Sequence, residues 1–473
     1  MNLKHAIQHP IFEYIKQASS EIATESFVIG GFVRDFLLER ESKKDIDIVA
    51  KDSGIELALK VAHLLPTQPE VKVFKRFGTA MLRFQGMDIE FVGARKESYR
   101  SDSRNPIVED GTLEDDQNRR DFTINAMAIS LNESNFGTLI DPFGGVKHLE
   151  EKLIKTPLDP TITYSDDPLR MMRAIRFATQ LNFNIEKDSF EAIKRNQERI
   201  KIISVERIMD EFNKIMLTEK PSVGLALLFE SGLLDYILPE ITALQGIDEI
   251  EGKTHKDNFW HTLEVVDNIA PHTQNLWLRW SALLHDVGKA PTKRYDKKIG
   301  WTFHGHEFVG NKMIPKIFKR LKLPLGNDLK YVRKIVMMSS RPISLIEDEV
   351  TDSAVRRLLF DAGDDIEDLF TLCNADITTK NPKKQRRYQN NFKRVQEKIK
   401  QVEERDRIRN FQPPITGQEI IKTFNIQPGK EIGMIKNSIK DAILAGTIPN
   451  EYEAAKAYMI QKGKQLGLEI VYE

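Results

Sequence analysis

The first 150 residues predict an α+β domain built on a small mixed sheet, and the residues after them predict helices throughout. Three observations carry this. Short apolar runs at 71–74, 80–84, 88–92 and 126–131, separated by glycine and polar turns, have the length and composition of strands. Between residues 28 and 50 a glycine pair leads into a short helical pattern and then into DIDIV, whose alternation is that of a half-buried strand. From residue 165 onward the spacing turns helical, with start signals at Asp167-Pro168 and Ser204.

In the string VIGGFVRDFLLERESKKDIDIVA (28–50), Asp45 and Asp47 share one side of the strand while Ile46 and Ile48 take the other, toward a core. Two carboxylates on one rigid face suit Mg2+, a hard cation that takes oxygen ligands and keeps places for phosphate. Gly30 and Gly31 lack Cβ atoms, so backbone N–H groups approach a phosphate closely just ahead of a helix N-terminus. Singly, an acidic pair is usually solvated and a glycine pair is usually a turn; their joint spacing points to a site.

The whole string resembles the DNA polymerase β nucleotidyltransferase superfamily, and GGFVRDFLL with DIDIV resembles its class II tRNA nucleotidyltransferase and poly(A) polymerase branch. That resemblance implies a polymerase-β-like head followed by an all-helical neck, body, HD domain and tail. It also assigns Arg34 to the nucleotide site with Gly30 and Gly31. The expected partition is a head at 1–150, a base-reading neck and body at 151–250, an HD domain at 251–380 and a tRNA-binding tail at 381–473.

Composition sets wider limits. A chain of 473 residues exceeds what one core usually supports, so two to four domains are expected. Its 70 Lys and Arg balance 70 Asp and Glu, which moves the question of nucleic acid from global charge to local patches. A single cysteine, Cys373, excludes intramolecular disulfides and thiolate zinc clusters and points to the cytoplasm. The N-terminus is too polar for a signal peptide, and no apolar run approaches the ~20 residues that span a bilayer, so no membrane partner is expected.

Within the head, Glu90 is either a third carboxylate beside Asp45 and Asp47 or an edge-strand acid facing water. The polar stretch 96–118 reads as a mobile loop of lid length. In NRRDFTINAMAIS, Arg119 and Arg120 suit triphosphate oxygens, while Asp121 and Asn125 suit ribose hydroxyls. The alternative is a helix cap with surface ion pairs. A matching RRD motif contacts the incoming nucleotide in the class II enzymes, which favours the first reading.

In SDDPLRMMRAIRFATQLNF (165–183), Asp167 reads as an N-cap with Pro168 at the first helical position. Asp167 and Arg170 together can accept from an exocyclic amino group and donate to a ring nitrogen, the edge shared by cytosine and adenine; uracil and guanine reverse that polarity. The segment resembles the family's EDxxR motif, with Asp166 where glutamate is usual. Arg173 and Arg176 continue as a basic ridge that either touches phosphate or forms ion pairs. In SVERIMDEFNKIM, Glu206, Arg207 and Glu211 are read as structural support.

From residue 255 onward, His261, His285, Asp286, His306 and Asp376 stand in the order typical of HD domains, so a second divalent metal site is expected. The resemblance implies a phosphohydrolase module, with His255 and His304 unassigned. Residues 381–410 hold eleven Lys or Arg against four Asp or Glu, suited either to an RNA backbone or to a solvated helix face. The reading as a whole is a CCA-adding enzyme that takes tRNA, CTP and ATP. Its rivals are an A-adding or CC-adding specialist, a poly(A) polymerase, and an HD phosphohydrolase with an RNA-binding head.

Overall fold

The computed structural model describes residues 1–40, 45–100, 103–347, 351–379, 381–406, 408–409 and 411–471. The chain divides into two compact units, Met1–Pro239 and Glu240–Glu473.

The first unit opens with helix α1 (Pro10–Glu21), strand β1 (Ser26–Ile29), α2 (Gly31–Leu37), β2 (Asp45–Ala50) and α3 (Gly54–Leu64). Strands β3 (Lys72–Phe74), β4 (Thr79–Phe84) and β5 (Met87–Gly93) follow. Then come β6 (Arg95–Arg100), β7 (Ser103–Asp110), helix α4 (Leu113–Asn118), β8 (Ala128–Ser130) and β9 (Leu139–Ile140). Seven of the strands form one sheet in the order β3-β4-β5-β2-β1-β8-β9. Its β2 and β5 are parallel and its other neighbours antiparallel, so the sheet is mixed as expected.

Period-two alternation explains why the sheet has two different faces. Ile46, Ile48, Ala80, Leu82, Ile89 and Phe91 are buried together, with α3 lying across β2, β4 and β5 and α1 packed beside it. The other face is divided. Toward β1 it carries an apolar cluster of Phe27, Ile29, Val49 and Ala128 with Leu113 and Ile140 packed on it. Toward β5 it carries the acids.

One expectation fails here. The stretch 96–118 is a hairpin of β6 and β7, in which Arg95 pairs with Asp110 and Lys96 with Glu109, followed by α4; residues 101–102 lie outside those described. A two-stranded ribbon outside the main sheet needs no apolar face, so its sequence shows no hydrophobic period. The α4 start did carry a local signal, a capping box between Thr112 and Asp115.

Helices α5 (Gly145–Glu150), α6 (Pro160–Asp166), α7 (Leu169–Leu181), α8 (Lys187–Asn196), α9 (Val205–Met216) and α10 (Pro221–Glu230) complete the unit's main helices. The helix α7 packs against both α9 and α10, burying Met171, Met172, Ala174, Ile175 and Ala178. Five buried residues at helical spacing hold it in one orientation about its axis.

In the second unit, helices Asn258–Ile269, Leu276–Leu284, His306–Arg320, Asn327–Met338 and Ile366–Ala375 supply a core that includes Phe259, Trp280 and Phe318. The basic helix Pro382–Asp406 and three more, Gly417–Phe424, Lys430–Ala445 and Tyr452–Gln465, follow. Small two-stranded pairings at 153–154 with 184–185, 249–250 with 253–254, and 294–296 with 300–302 interrupt the helical part; two or three residues are too few to show a period. Among the described residues no helix is long and apolar enough to cross a membrane.

Gly54 fixes how closely α3 approaches the sheet, because a Cβ there would sit 2.5 Å from the Val92 carbonyl carbon. Gly54→Ala should therefore lower stability by about 1–3 kcal/mol through forced separation of helix and strand, read as a lower urea midpoint with unchanged slope.

Candidate active site

Strand β1 ends at Ile29, and Gly30 turns the chain into α2 with φ +82°, a value that favours glycine. Space imposes the same choice. A Cβ on Gly30 would lie 3.2 Å from Arg120 Nη1 and 3.5 Å from Asp47 Oδ2. The α2 N-terminus, the Arg120 guanidinium and the Asp47 carboxylate thus converge on one point.

Register brings the acids together. Ile29 faces Asp47 across β1 and β2, and Asp47 faces Glu90 across β2 and β5, so Asp47 and Glu90 are neighbours on one face with Asp45 two residues along it. Burial pushes the Asp47 carboxyl up, and Asp45 and Asp116 push the same way against the pull of Arg120. Burial also raises Glu90, helped by Asp47 and opposed by Arg95. Acids that resist ionising beside one another are relieved by a cation. An all-oxygen donor set fits a divalent hard metal held by Asp45 and Asp47, with Glu90 within reach.

Asp45 and Asp47 border a cleft of about 1240 Å3, lined also by Gly30, Gly31, Arg34, Arg120, Asp121, Asn125, Arg173, Arg176 and Phe177 among others. Its arginines are held by buried partners. Arg34 pairs with Asp35 and donates to Asn125 Oδ1 at 2.7 Å; Asn125 Nδ2 donates to Asp121 Oδ1 at 3.0 Å; Arg173 Nη2 meets Asp121 Oδ2 at 2.6 Å. Arg176 pairs with Glu211, and the guanidiniums of Arg34, Arg173 and Arg176 surround the Phe177 ring at 5.0, 5.4 and 3.9 Å. Against the burial that would raise it, Arg173, Asn125 and Arg170 bring the Asp121 carboxyl down to about 2.

Sequence reasoning missed three members of this arrangement. Asp116, fully buried, pairs with both Arg119 and Arg120 and so aims Arg120 at the glycine turn. Asp35 sits beside Arg34, and Phe177 is the plate under three cations. Only Asp116 had a detectable signal, its i,i+3 and i,i+4 spacing to the two arginines.

Arg119, Glu90, Asp167 and Arg170 are not among the described lining residues of the cleft. The helix α6 ends at Asp166, Asp167 Oδ1 accepts from Leu169 N at 3.2 Å, and Pro168 takes the N-cap position, so α7 starts one residue later than the sequence predicts. Arg170 Nη2 donates to the Arg119 carbonyl at 2.5 Å, tying α7 to the RRD segment.

In the second unit, His261, His285 and Asp286 offer ligand atoms within 4.8 Å of one another. Asp376 Oδ1 lies 2.8 Å from His261 Nε2 and 3.5 Å from His285 Nε2, and His306 Nε2 lies 3.5 Å from Asp286 Oδ1. Main-chain carbonyls accept from Nδ1 of His285 (Ala282 O, 2.8 Å) and of His306 (Phe303 O, 3.0 Å), turning both Nε2 atoms inward. His285 Nε2 is buried without a well-aligned hydrogen bond among the described residues, which suits a metal. Two lysines stand close by: Lys289 Nζ, from the HDVGK string, is 2.6 Å from Asp286 Oδ2, and Lys256 Nζ, which sequence reasoning missed, is 2.8 Å from His261 Nδ1. His255 packs on Trp301 and Phe303 instead.

Acids that repel one another on one side of Asp47 and guanidiniums that crowd the other are both satisfied by a nucleoside triphosphate with its cation, and the fold that presents them is a nucleotidyltransferase head. The poly(A) polymerase head domain matches residues 26–155, the RNA and SrmB-binding site of polymerase A matches 182–245, the HD domain 258–369 and tRNA nucleotidyltransferase domain 2 residues 317–458. The chain is 30% identical to the A-adding tRNA nucleotidyltransferase of Deinococcus radiodurans over 72% of its own length and 78% of that protein. It belongs to the class II tRNA nucleotidyltransferase and poly(A) polymerase family.

Two further relatives are CCA-adding enzymes. That of Anoxybacillus flavithermus is 39% identical over 48% of this chain and 57% of its own length; that of Pediococcus pentosaceus is 27% identical over 92% and 94%. The solved Thermotoga maritima CCA-adding enzyme complexed with tRNA shares the fold, with a TM-score of 0.62 over 98% of both chains at 23% identity.

The Asp121 carboxyl also links folding to pH. Its pKa falls from 3.8 to about 2, so it stabilises the fold above pH 4, and that stability is lost as pH falls through 2. The loss amounts to about 2 kcal/mol. Asp121→Asn, weaker than wild type at neutral pH, should lose less further stability between pH 4 and pH 1 in urea titrations.

Proposed function

We propose that this chain adds C, C and A, without a template, to the 3′ end of tRNA, with CTP and ATP as donors and Mg2+ on Asp45 and Asp47. The observation that carries it is the in-register row of Asp47 and Glu90 beside the Gly30 turn. The match to a CCA-adding enzyme along 92% of the chain supports full CCA addition over an A-adding or CC-adding specialist or a poly(A) polymerase. A cytoplasmic location accords with Cys373, which is buried and free.

In this reading the RNA 3′-oxygen attacks the α-phosphorus, the bond to the bridging oxygen of pyrophosphate breaks, and the hydroxyl proton leaves to solvent. The bound cation supplies charge neutralisation and alignment. Gly30, Gly31 and Arg120 hold the phosphates with N–H donors, and Asp121 with Asn125 stands near the ribose. Arg34 and Arg173 keep that acid and amide in place, and Arg119 braces the turn from Asp116. Asp167 accepts from the exocyclic amino group shared by cytosine and adenine. Arg170 donates to the ring nitrogen once it exchanges the Arg119 carbonyl for the base. Uracil and guanine would leave both groups unsatisfied.

A second reading applies to the separate HD cluster. His261, His285, Asp286, His306 and Asp376 hold a divalent metal that activates water for phosphate-ester hydrolysis; the inward-facing His285 Nε2 favours it.

Incubation of tRNA lacking its 3′ CCA with each labelled nucleotide, singly and together, should yield two C and one A. A long A tail would instead indicate a poly(A) polymerase, and A-only or C-only product a specialist. Asp45→Ala and Asp47→Ala should each cut incorporation by at least about 100-fold while tRNA still binds. Asp286→Ala should remove Mn2+ retained by the HD cluster, measured by elemental analysis, and leave nucleotide addition unchanged.

A further inference from the structure

Gly30, Gly31 and Arg120, which hold the phosphates in the reading above, stand on the β1 side of β2. In-line displacement places the attacking oxygen opposite the leaving group, and hence on the β5 side, where Glu90 stands. Beyond β5 the row continues. Glu90 pairs with Met81 and Met81 with Lys72, so Asp47, Glu90, Met81 and Lys72 share one face. Three strand spacings put Lys72 about 14 Å from Asp47, a span of a few nucleotides.

The neighbouring row on this face runs from Val92 through Thr79 to Phe74. With α1 and α3 on the opposite face, this end stays open: Phe74 is 46% and Phe77 64% exposed. Arg76 lies 5.9 Å from the Phe77 ring centroid. Residues 71–78 carry Lys72, Lys75 and Arg76 and no acid. Exposed aromatics bracketed by cations bind single-stranded nucleic acid by stacking and charge. A protein or lipid partner would give no reason for this patch to be continuous with the acidic row.

We propose that the single-stranded 3′ end of the RNA acceptor lies across this face, its last bases stacked on Phe74 and Phe77 and its phosphates on Lys72, Lys75 and Arg76. The proposal rests on the nucleotidyl-transfer reading. These are positioning residues: they seat the strand so that its 3′-oxygen arrives at Glu90 and Asp47.

The test uses the full chain and tRNA lacking its CCA end, with a combined Phe74→Ala and Phe77→Ala variant and a Lys72→Glu variant. The expected result is a KM for tRNA raised at least about 10-fold, a KM for CTP changed less than about twofold, and an unaltered thermal midpoint. A tRNA carrying 4-thiouridine next to its 3′ end should photocrosslink to a peptide spanning residues 72–77. Unchanged KM and retention of tRNA in both variants, or a crosslink confined to other segments, would overturn the proposal. So would a change in sedimentation without a change in RNA binding, which would make this face a contact between copies. Filter retention and crosslinking still report the seat if wild-type protein extends nothing, an outcome that would sink the transfer reading instead.

Discussion

Parallel pairing of β2 with β5 sets Asp47 directly beside Glu90, and that enforced closeness of like charges organises the first unit. The sheet leaves neither side chain another direction, because Ile46, Ile48, Ile89 and Phe91 must fill the buried face. A slip of one residue in β2 would exchange acids for isoleucines and lose core and site together. The acidic row is therefore specified by hydrophobic burial, and its repulsion is a standing cost that a bound cation relieves.

The cationic side is built with equal constraint. Arg34, Arg173 and Arg176 gather around Phe177, each with its own acid: Asp35, Asp121 and Glu211. Buried pairs of this kind add little net stability, since desolvation offsets much of their attraction, but removing one partner leaves an expensive orphan. Their effect is geometric. Arg173 on α7 and the RRD segment are joined through Asp121, and Arg170 reaches back to the Arg119 carbonyl, so α7 and the RRD segment are tied together at two points.

Much of this was legible in the sequence, for reasons that differ by element. The DIDIV alternation revealed both the core side and the acid side of β2, because period two is a property of the backbone. The helical grammar after residue 165 and the order of HD residues were equally readable, and His261, His285, Asp286, His306 and Asp376 do come together. The β6–β7 hairpin was not, since a two-stranded ribbon outside the main sheet is not obliged to alternate and its sequence reads as a loop. Lys256 escaped for another reason: a lysine beside the cluster of histidines and aspartates is placed by tertiary packing, and nothing in its local sequence separates it from a surface lysine. The cation-lined cleft shows the same limit, as Phe177 reads only as one more apolar residue of α7.

The account stands or falls on whether the acids of β2 hold a cation against the nucleotide. Crystals grown with CTP and Mn2+, a ligand-field-neutral substitute for Mg2+ with usable anomalous scattering, test this directly. The account predicts an anomalous peak between the Asp45 and Asp47 carboxylates and the triphosphate, with the phosphates over the Gly30 turn. A triphosphate bound elsewhere, or bound there with no peak at these aspartates, would contradict it.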